Sequence, residues 1–278
     1  MYFGIIYDNI CVINYKPFFM KSFVFTILCL ASCFIHSQNN AIGANEKLVF
    51  TASYNMSGLL TDLAQVTMET NEVKTSKSTL LHLKGKARTF TKWDTFFKIN
   101  DLYESYAHPN SLKPYLYKRD INEGGYYKFM QYNYNHKTNT VKSLKRKRRG
   151  DGTYWDENKN LNIASNSRDI IATLYHIRNL DIHKASIGNS DTFTVLMDNE
   201  EFTITLTLLA KETINTNIGR KECYKLAIGM NHNNFLKGNK DNLLWLTADA
   251  NKIPVYAKFK VPVGNGELRI QSATGLKN

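Results

Sequence analysis

The sequence has few of the residues on which fibrous and low-complexity proteins depend. Of its 278 residues, only four are cysteine, five are proline and 15 are glycine. These counts exclude a collagen-like or Pro/Gly-rich chain. Disorder is excluded as well, because hydrophobic residues make up 43% of the chain and charged residues only 22%. We therefore expect a globular protein with one large β domain, or two small domains at most.

The chain also lacks a hydrophobic run long enough for a permanent membrane helix. The apolar run from Phe23 to Ile35 follows a short basic start at Met20 and precedes a polar stretch. A membrane helix needs about 18 apolar residues, whereas the apolar part of a secretory signal peptide has roughly 7–15. We therefore predict a signal peptide over residues 1–37, with translation starting at Met20 and cleavage after Ser37. The remainder, residues 38–278, is predicted to be a single β-barrel-like domain in the periplasm or at the outer-membrane periphery.

A second cleavage site competes with the first. The segment LASC at 30–33 resembles a bacterial lipobox, which would attach a lipid to Cys33 and anchor the chain as a lipoprotein. The apolar Phe34 and Ile35 that follow it favour the first site, because a lipoprotein tether is usually polar. Cleavage at the first site leaves Cys223 as the one remaining cysteine. Its position in an apolar strand pattern predicts a small buried thiol.

Alternation of apolar and polar residues with a period of two dominates the rest of the chain, and it is typical of antiparallel strands. The turn composition at 198–200 and at 264–266 predicts two hairpins. The predicted strands cover residues 48–54, 64–68, 80–90, 96–106, 115–122, 125–134, 139–144, 192–197, 201–213, 222–230, 243–248, 253–263 and 266–272.

One segment, residues 168–178, has helical periodicity instead. Ile170, Leu174 and Ile177 fall on one face, and Ser167 is positioned as the N-cap. The predicted fold class is therefore all-β: a large antiparallel curled sheet or open β-barrel whose concave side the single amphipathic helix fills.

Four segments are distinctive in combination. They are FKINDLYESY at 97–106, Arg119 with NEGGY at 122–126, the helix at 169–178 with Tyr175, and WLTAD at 245–249 followed by IPV at 253–255. In this order along the chain, they resemble the domain of unknown function 3108 family of exported Gram-negative envelope proteins. The resemblance covers nearly all of residues 38–278. It implies a β-barrel-like envelope protein and brings no activity with it.

Motifs of common enzyme classes are missing. There is no Gly-x-Ser-x-Gly elbow, no His-Glu-x-x-His and no Cys-x-x-Cys, and the glycines near residue 264 lack the spacing of a dinucleotide loop. The histidines are scattered without metal-ligand spacing. We predict no catalytic residue, no metal site and no cofactor.

Charged residues inside aromatic-rich segments are the ligand-site candidates. They could meet inside a curled sheet, either as a buried ion pair or around the polar head group of a ligand in an apolar pocket. The alternative is that each binds a turn or a helix end at the rim. With two aromatic residues, the candidates are Glu104, Arg119, Glu123, Tyr126, Arg178 and Trp245.

A basic tract is the largest electrostatic feature, with seven cations and no acid between Lys137 and Arg149. Because neighbouring residues in a strand face opposite sides, we expect this tract to project beyond the sheet as a hairpin end. It is either a solvated loop or a contact for anionic lipid or polysaccharide surfaces. Export argues against a nucleic-acid partner. The contact candidates are Lys142, Lys145, Arg146, Lys147, Arg148 and Arg149.

Three functions remain open. The first is a non-enzymatic envelope protein whose sheet encloses a groove for a lipid-like or other apolar molecule. The second is a structural or assembly partner of other envelope proteins, which a filled interior would favour. The third is a hydrolase of envelope polymers, which requires carboxyl groups among Glu104, Glu123 and Asp249 to lie about 5–9.5 Å apart in an open cleft.

Overall fold

The computed structural model describes residues 38–56, 58–230, 241–261 and 264–278. The predicted signal peptide and Cys33 lie outside these residues. Fourteen strands form one antiparallel sheet. They are β1 (Lys47–Met56), β2 (Leu59–Lys74), β3 (Thr79–Thr89), β4 (Asn100–Ala107), β5 (Pro114–Glu123), β6 (Tyr126–Asn135), β7 (Thr140–Arg148), β8 (Tyr154–Asn162), β9 (Ser190–Met197), β10 (Glu200–Thr216), β11 (Gly219–Met230), β12 (Leu243–Thr247), β13 (Pro254–Val261) and β14 (Gly264–Thr274).

The strands are connected mainly as successive hairpins, in the order β8-β7-β6-β5-β4-β3-β2-β1-β14-β13-β12-β11-β10-β9. The two outer strands, β8 and β9, do not pair with each other in this order, so the sheet is not closed into a barrel. It is nevertheless curled, because the turn between β9 and β10 reaches across to side chains of β5 and β6. The predicted fold class is confirmed.

Among the described residues there is one α-helix, α1 (Ile170–Ile177), which lies between β8 and β9 in sequence and packs against β3, β4 and β9. Its N-cap is Asp169, which accepts a hydrogen bond from the Ala172 amide, and not the predicted Ser167. Gly85 of β3 allows the close approach, since a Cβ there would lie 3.1 Å from Ile171 Cδ1. The Tyr175 hydroxyl donates to the Glu69 carbonyl of β2 at 3.2 Å.

We define the inner face of the sheet as the face on which α1 lies. Ser105 of β4 belongs to this face, because its hydroxyl bonds to Asp169 at the start of the helix. Tyr117, Tyr132 and Ser143 continue the row across β5, β6 and β7, as each pairs directly with its neighbour. Cys223 of β11 is fully buried, as predicted, and burial raises the pKa of its thiol to about 11. Across the described residues, no helix is both long and apolar enough to cross a membrane.

Several predicted strand boundaries differ from the structure: β2, predicted at 64–68, covers Leu59–Lys74, and two others differ at a loop or a turn. β4 begins at Asn100, so Phe96 and Phe97 lie in the preceding loop and not in the strand. Residues 264–266 are the beginning of β14 and not a hairpin turn, because Val261 already pairs with Gly264. The turn at 198–200 is confirmed: Met197 pairs with Glu200, and Asp198 and Asn199 between them have left-handed φ angles.

The expected projection of the basic tract is also wrong. β7 extends through the tract to Arg148 and is paired on both sides, with β6 and with β8. β8 was not predicted at all, because its sequence is polar and lacks alternating apolar residues. Acidic side chains of β8 lie opposite cations of β7, so this part of the sheet is stabilised by cross-strand charge pairs.

Candidate functional site

Three of the six ligand candidates lie together on the inner face. Arg119 and Glu123 are in β5, and Tyr126 begins β6 opposite Glu123. Glu104 is not with them, because it pairs with Lys118 on the other face and bonds to His82 at 3.0 Å. Arg178 lies at the C-terminal end of α1 and Trp245 lies in β12, so neither belongs to this group.

We call the charged and aromatic side chains that meet here, Arg119, Glu123, Tyr126, Lys128 and Asp198, the inner cluster. Its central contact was not predicted. Arg119 and Lys128 both bind Asp198, which projects from the turn between β9 and β10. Burial works to raise the pKa of Asp198, but the positive charges of Arg119 and Lys128 outweigh it and hold that pKa below its ordinary value. The cluster therefore fixes the hairpin of β9 and β10 against the inner face.

Asn199, the next residue of the turn, adds neutral hydrogen bonds to the same surface. Its amide donates to the Tyr132 hydroxyl at 3.0 Å, and its side-chain oxygen accepts from Ser143 Oγ at 2.5 Å. Arg119 Nε and Asn199 Nδ2 are buried and have no hydrogen-bond partner among the described residues. With α1 on one part of the inner face and this turn on another, side chains and backbone occupy much of the concavity.

A pair of acids borders the cluster. Asp101 of β4 is buried, and its pKa is raised by that burial and by its hydrogen bond and charge repulsion with Glu123. The Asn122 amide donates to Asp101 at 2.9 Å. These two carboxyls face a cationic neighbour, Arg119, so the arrangement is a self-contained charge network within the sheet.

Arg178 has a structural role. Its guanidinium is fully buried and forms two hydrogen bonds with the Glu46 carboxylate, at 2.6 and 2.7 Å. Two further N–H groups of the guanidinium donate to the carbonyls of Asn251 and Ala41 at 3.0 and 3.2 Å. The side chain is therefore closed to a ligand. Of the alternatives that the sequence allowed for Arg178, the structure shows the buried ion pair.

Trp245 lines an open cleft of about 380 Å³ between the hairpin of β10 and β11 and strands β12 to β14. Its indole Nε1 donates to Glu212 at 2.7 Å, and its ring lies 4.9 Å from the Tyr256 ring. Burial and a hydrogen bond with Glu267 raise the pKa of Tyr256. The lining comprises Ile214, Asn215, Thr216, Asn217, Trp245, Val255, Tyr256, Glu267, Arg269 and Ile270.

Two other clefts, of about 460 and 430 Å³, have more polar linings.

The acids that a hydrolase would need do not converge in any of these clefts. Glu104 bonds to His82, Glu123 lies beside Asp101, and Asp249 accepts hydrogen bonds from the turn that follows β12. Within the described ranges, no group of three or more His, Cys, Asp or Glu side chains has the geometry of a metal site.

The basic tract is partly neutralised in place. Lys145 lies 3.1 Å from Glu157, and Arg146 forms two hydrogen bonds of 2.7 Å with Asp156. Arg148 donates to the carbonyl of Gly125 in the turn between β5 and β6. The other three predicted contact residues are Lys142 and Lys147 in β7 and Arg149 immediately after it.

Asp169 is a buried carboxyl group whose ionisation should affect how the stability of the fold depends on pH. Its carboxylate accepts bonds from the Ala172 amide and from Ser105 Oγ, at 2.8 and 2.7 Å, yet burial raises its pKa to about 6. A folded-state pKa above the unfolded value of about 3.9 means that the folded state binds the proton more tightly, so the stability that this carboxyl contributes is lost as pH rises from about 3.9 through about 6 and is constant above that range. Asp169→Asn keeps the cap and cannot ionise.

We therefore expect Asp169→Asn to gain stability relative to the wild type by about 1–2 kcal/mol between pH 5 and pH 8. Urea denaturation of both proteins at the two pH values measures this difference. Groups such as His176, whose pKa burial lowers to about 4, are present in both proteins and cancel in it. A difference that does not change with pH would contradict the expectation.

Comparison with known proteins supports the family resemblance. The family model described as protein of unknown function (DUF3108) matches residues 49–271. Among solved structures, the chain is similar to the β-barrel-like protein of domain of unknown function DUF1849 from Brucella abortus, with a TM-score of 0.53 and 6% sequence identity over 86% of this chain and 100% of that one. This likeness shows a shared fold and nothing of function.

A protein with a YmcC-like fold from Bacteroides fragilis matches with a TM-score of 0.31 and 8% identity, over 85% of this chain and 99% of that one. No curated protein matches the chain.

Proposed function

We propose, for a chain that belongs to the DUF3108 family of proteins of unknown function, that it is an exported, non-enzymatic envelope protein that binds a lipid-like or other apolar molecule. The observation that carries the proposal is the cleft at Trp245. Its volume of about 380 Å³ lies within the range of roughly 300–1,000 Å³ that is usual for small-molecule sites. The sequence predicts a groove inside the curled sheet, but α1 and the turn at Asp198 occupy much of that space, so we place the ligand in the cleft at Trp245.

The cleft combines an apolar floor with a few polar groups. Ile214, Trp245 and Ile270 contribute apolar surface, while Arg269 and Glu267 lie on its polar side. Such a combination suits an amphipathic molecule with an apolar body and a polar head group.

The aromatic residues of the cleft are held in place before any ligand binds. The Trp245 indole is fixed by Glu212, and Lys225 Nζ lies 5.3 Å from the Trp245 ring centre. Tyr256 bonds to Glu267. Side chains that are already ordered cost less conformational entropy when a ligand binds.

Binding of cis-parinaric acid, a fluorescent fatty acid, to residues 38–278 tests the site. Asn215 is exposed at the edge of the cleft, so Asn215→Trp should fill it and weaken binding at least tenfold, about 1.4 kcal/mol. Thr203→Trp, at an exposed position of the same strand outside the cleft, is the matched control and should bind as the wild type does. Equal affinity of all three proteins would reject this site.

The filled concavity also supports a second candidate, an assembly partner of other envelope proteins. Native mass spectrometry of the protein from an envelope fraction, followed by organic extraction, separates the two. A co-purifying apolar molecule favours the binding protein. A mass without small molecules, together with no gain on adding envelope lipids, favours the assembly partner.

A further inference from the structure

Exposed hydrophobic side chains are concentrated at one end of the sheet. We call this the loop end: the end where β1–β2, β3–β4, β5–β6 and β7–β8 connect. Of the nine large hydrophobic residues that are exposed in the described part of the chain, six lie at this end. They are Leu59, Leu60, Phe96, Phe97, Tyr126 and Tyr154.

The loop between β3 and β4 presents the most exposed of them on an ordered backbone. Phe96 is 87% exposed, although the Phe96 and Phe97 amides both bond to the Trp93 carbonyl, at 2.9 and 3.0 Å. The Trp93 indole donates to the Asp62 carbonyl of β2 at 2.8 Å. A fixed turn that holds an apolar side chain in water is typical of a binding surface.

Further contacts join the loops into one surface. The Phe97 ring lies against Gly124, where a Cβ would come within 2.5 Å of it, and the Gly124 amide donates to the Lys98 carbonyl at 2.9 Å. Arg148 bonds to Gly125 of the same turn. The loop end is therefore continuous from β2 through β7.

Cations surround this apolar surface. Lys92 and Lys98 flank the exposed aromatic residues of the β3–β4 loop, and the exposed Arg148 and Arg149 lead into the β7–β8 turn. The acids within these two connections are Asp94, which bonds to Thr89, and Asp151, which bonds to Thr153. Both acids are thus engaged by neighbouring hydroxyl groups, and the exposed cations are not paired with them.

We propose that the loop end docks on a lipid bilayer that contains anionic lipids, with Phe96 and Leu59 entering the headgroup region. The apolar groups project from several loops, and Leu60 alone among them also lines one of the three clefts described above. A bilayer accepts such projections without a complementary shape, and aromatic side chains with flanking cations suit its anionic interface. The inference is independent of the ligand cleft.

Co-sedimentation with vesicles tests the proposal, using vesicles of phosphatidylcholine alone and of phosphatidylcholine with an equal share of phosphatidylglycerol. Residues 38–278 carry all fourteen strands and α1. Leaving out residues 1–37 removes an apolar run that would bind vesicles by itself. We expect binding to the mixed vesicles that weakens with added salt.

The double variant Leu59→Ser, Phe96→Ser should bind vesicles at least tenfold more weakly than the wild type. Lys92→Gln with Lys98→Gln should bind about fivefold more weakly for each charge removed, and only on the mixed vesicles. Ile187→Ser, 72% exposed but away from the loop end, is the matched control and should bind as the wild type does. Asn215→Trp should also bind normally, which separates this inference from the ligand cleft.

No binding of the wild type to mixed vesicles would overturn the proposal and direct attention to a protein partner for the loop end. Unchanged binding of the Leu59→Ser, Phe96→Ser variant would overturn it as well. Circular dichroism confirms that each variant keeps its sheet.

Discussion

Replacing Arg178 with methionine is expected to lower the free energy of unfolding by about 3–5 kcal/mol. The Arg178 and Glu46 side chains are 1% and 0% exposed. Removing the guanidinium leaves the Glu46 carboxylate as a buried charge without its partner. It also leaves the carbonyls of Asn251 and Ala41 without donors, at the place where the N-terminal segment meets the end of α1.

A second substitution distinguishes the ion pair from simple packing. Replacing both partners with apolar residues, as in Arg178→Met with Glu46→Leu, removes the buried charge and should recover most of the lost stability. Urea denaturation of the wild type, both single variants and the double variant gives the coupling between the two positions.

An exposed pair is the matched control for this cycle. Lys184 and Asp181 lie 2.9 Å apart with 69% of each side chain exposed. Water screens the attraction between these two exposed charges, so Lys184→Met should lower the free energy of unfolding by less than about 1 kcal/mol. If Arg178→Met cost no more than this control, the buried pair would not be the strong contact that its geometry indicates.

The strands that alternate apolar and polar residues were predictable, since their pattern reflects a sheet with one face on the core. β8 was not, because as an outer strand it needs few apolar residues and its pairing depends on charge. Asp156 and Glu157 lie opposite Arg146 and Lys145. Reading the basic tract and this acidic segment as paired strands, with opposite charges in register, would have predicted β7 and β8 together.

Several residues of the inner cluster could be predicted from the sequence, but the contact between them could not. The residues of β5 were identified from their aromatic setting, and the turn at Asp198 from its composition. Their contact joins positions 79 residues apart, and the Glu46 contact with Arg178 joins positions 132 apart. Pairings of this kind depend on how far the sheet curls, and neither residue type nor spacing along the chain records that curvature.

The turn at Asp198 leads to the second prediction, that Asp198→Asn lowers the free energy of unfolding by about 1–3 kcal/mol. Asparagine tolerates the left-handed φ of this position, so the substitution removes the charge and keeps the turn. Arg119 and Lys128, whose side chains are 9% and 12% exposed, then lie close together without the carboxylate that both of them bind. The value is set below that for a fully buried pair because 38% of the Asp198 side chain is exposed.

Acid should remove the difference between the two proteins. Because the folded-state pKa of Asp198 is below its ordinary value, its contribution is complete above the unfolded pKa of about 3.9 and is lost as pH falls through the folded pKa. Urea denaturation from neutral to acidic pH should therefore show the two stabilities converging at the acidic end. A constant gap would assign the effect to the altered hydrogen bonding of the turn.

Hydrogen exchange gives the local measurement. The Asn199 amide bonds to the Tyr132 hydroxyl and reports whether the turn is seated on β6. In Asp198→Asn it should exchange faster, by more than the global loss of stability accounts for, if the hairpin of β9 and β10 opens as a unit. Lys128→Met should have a smaller effect, because it leaves Arg119 paired with Asp198. Opening of this hairpin without unfolding of the sheet would uncover the inner face, so the charge cluster would then be the contact that keeps the concavity filled.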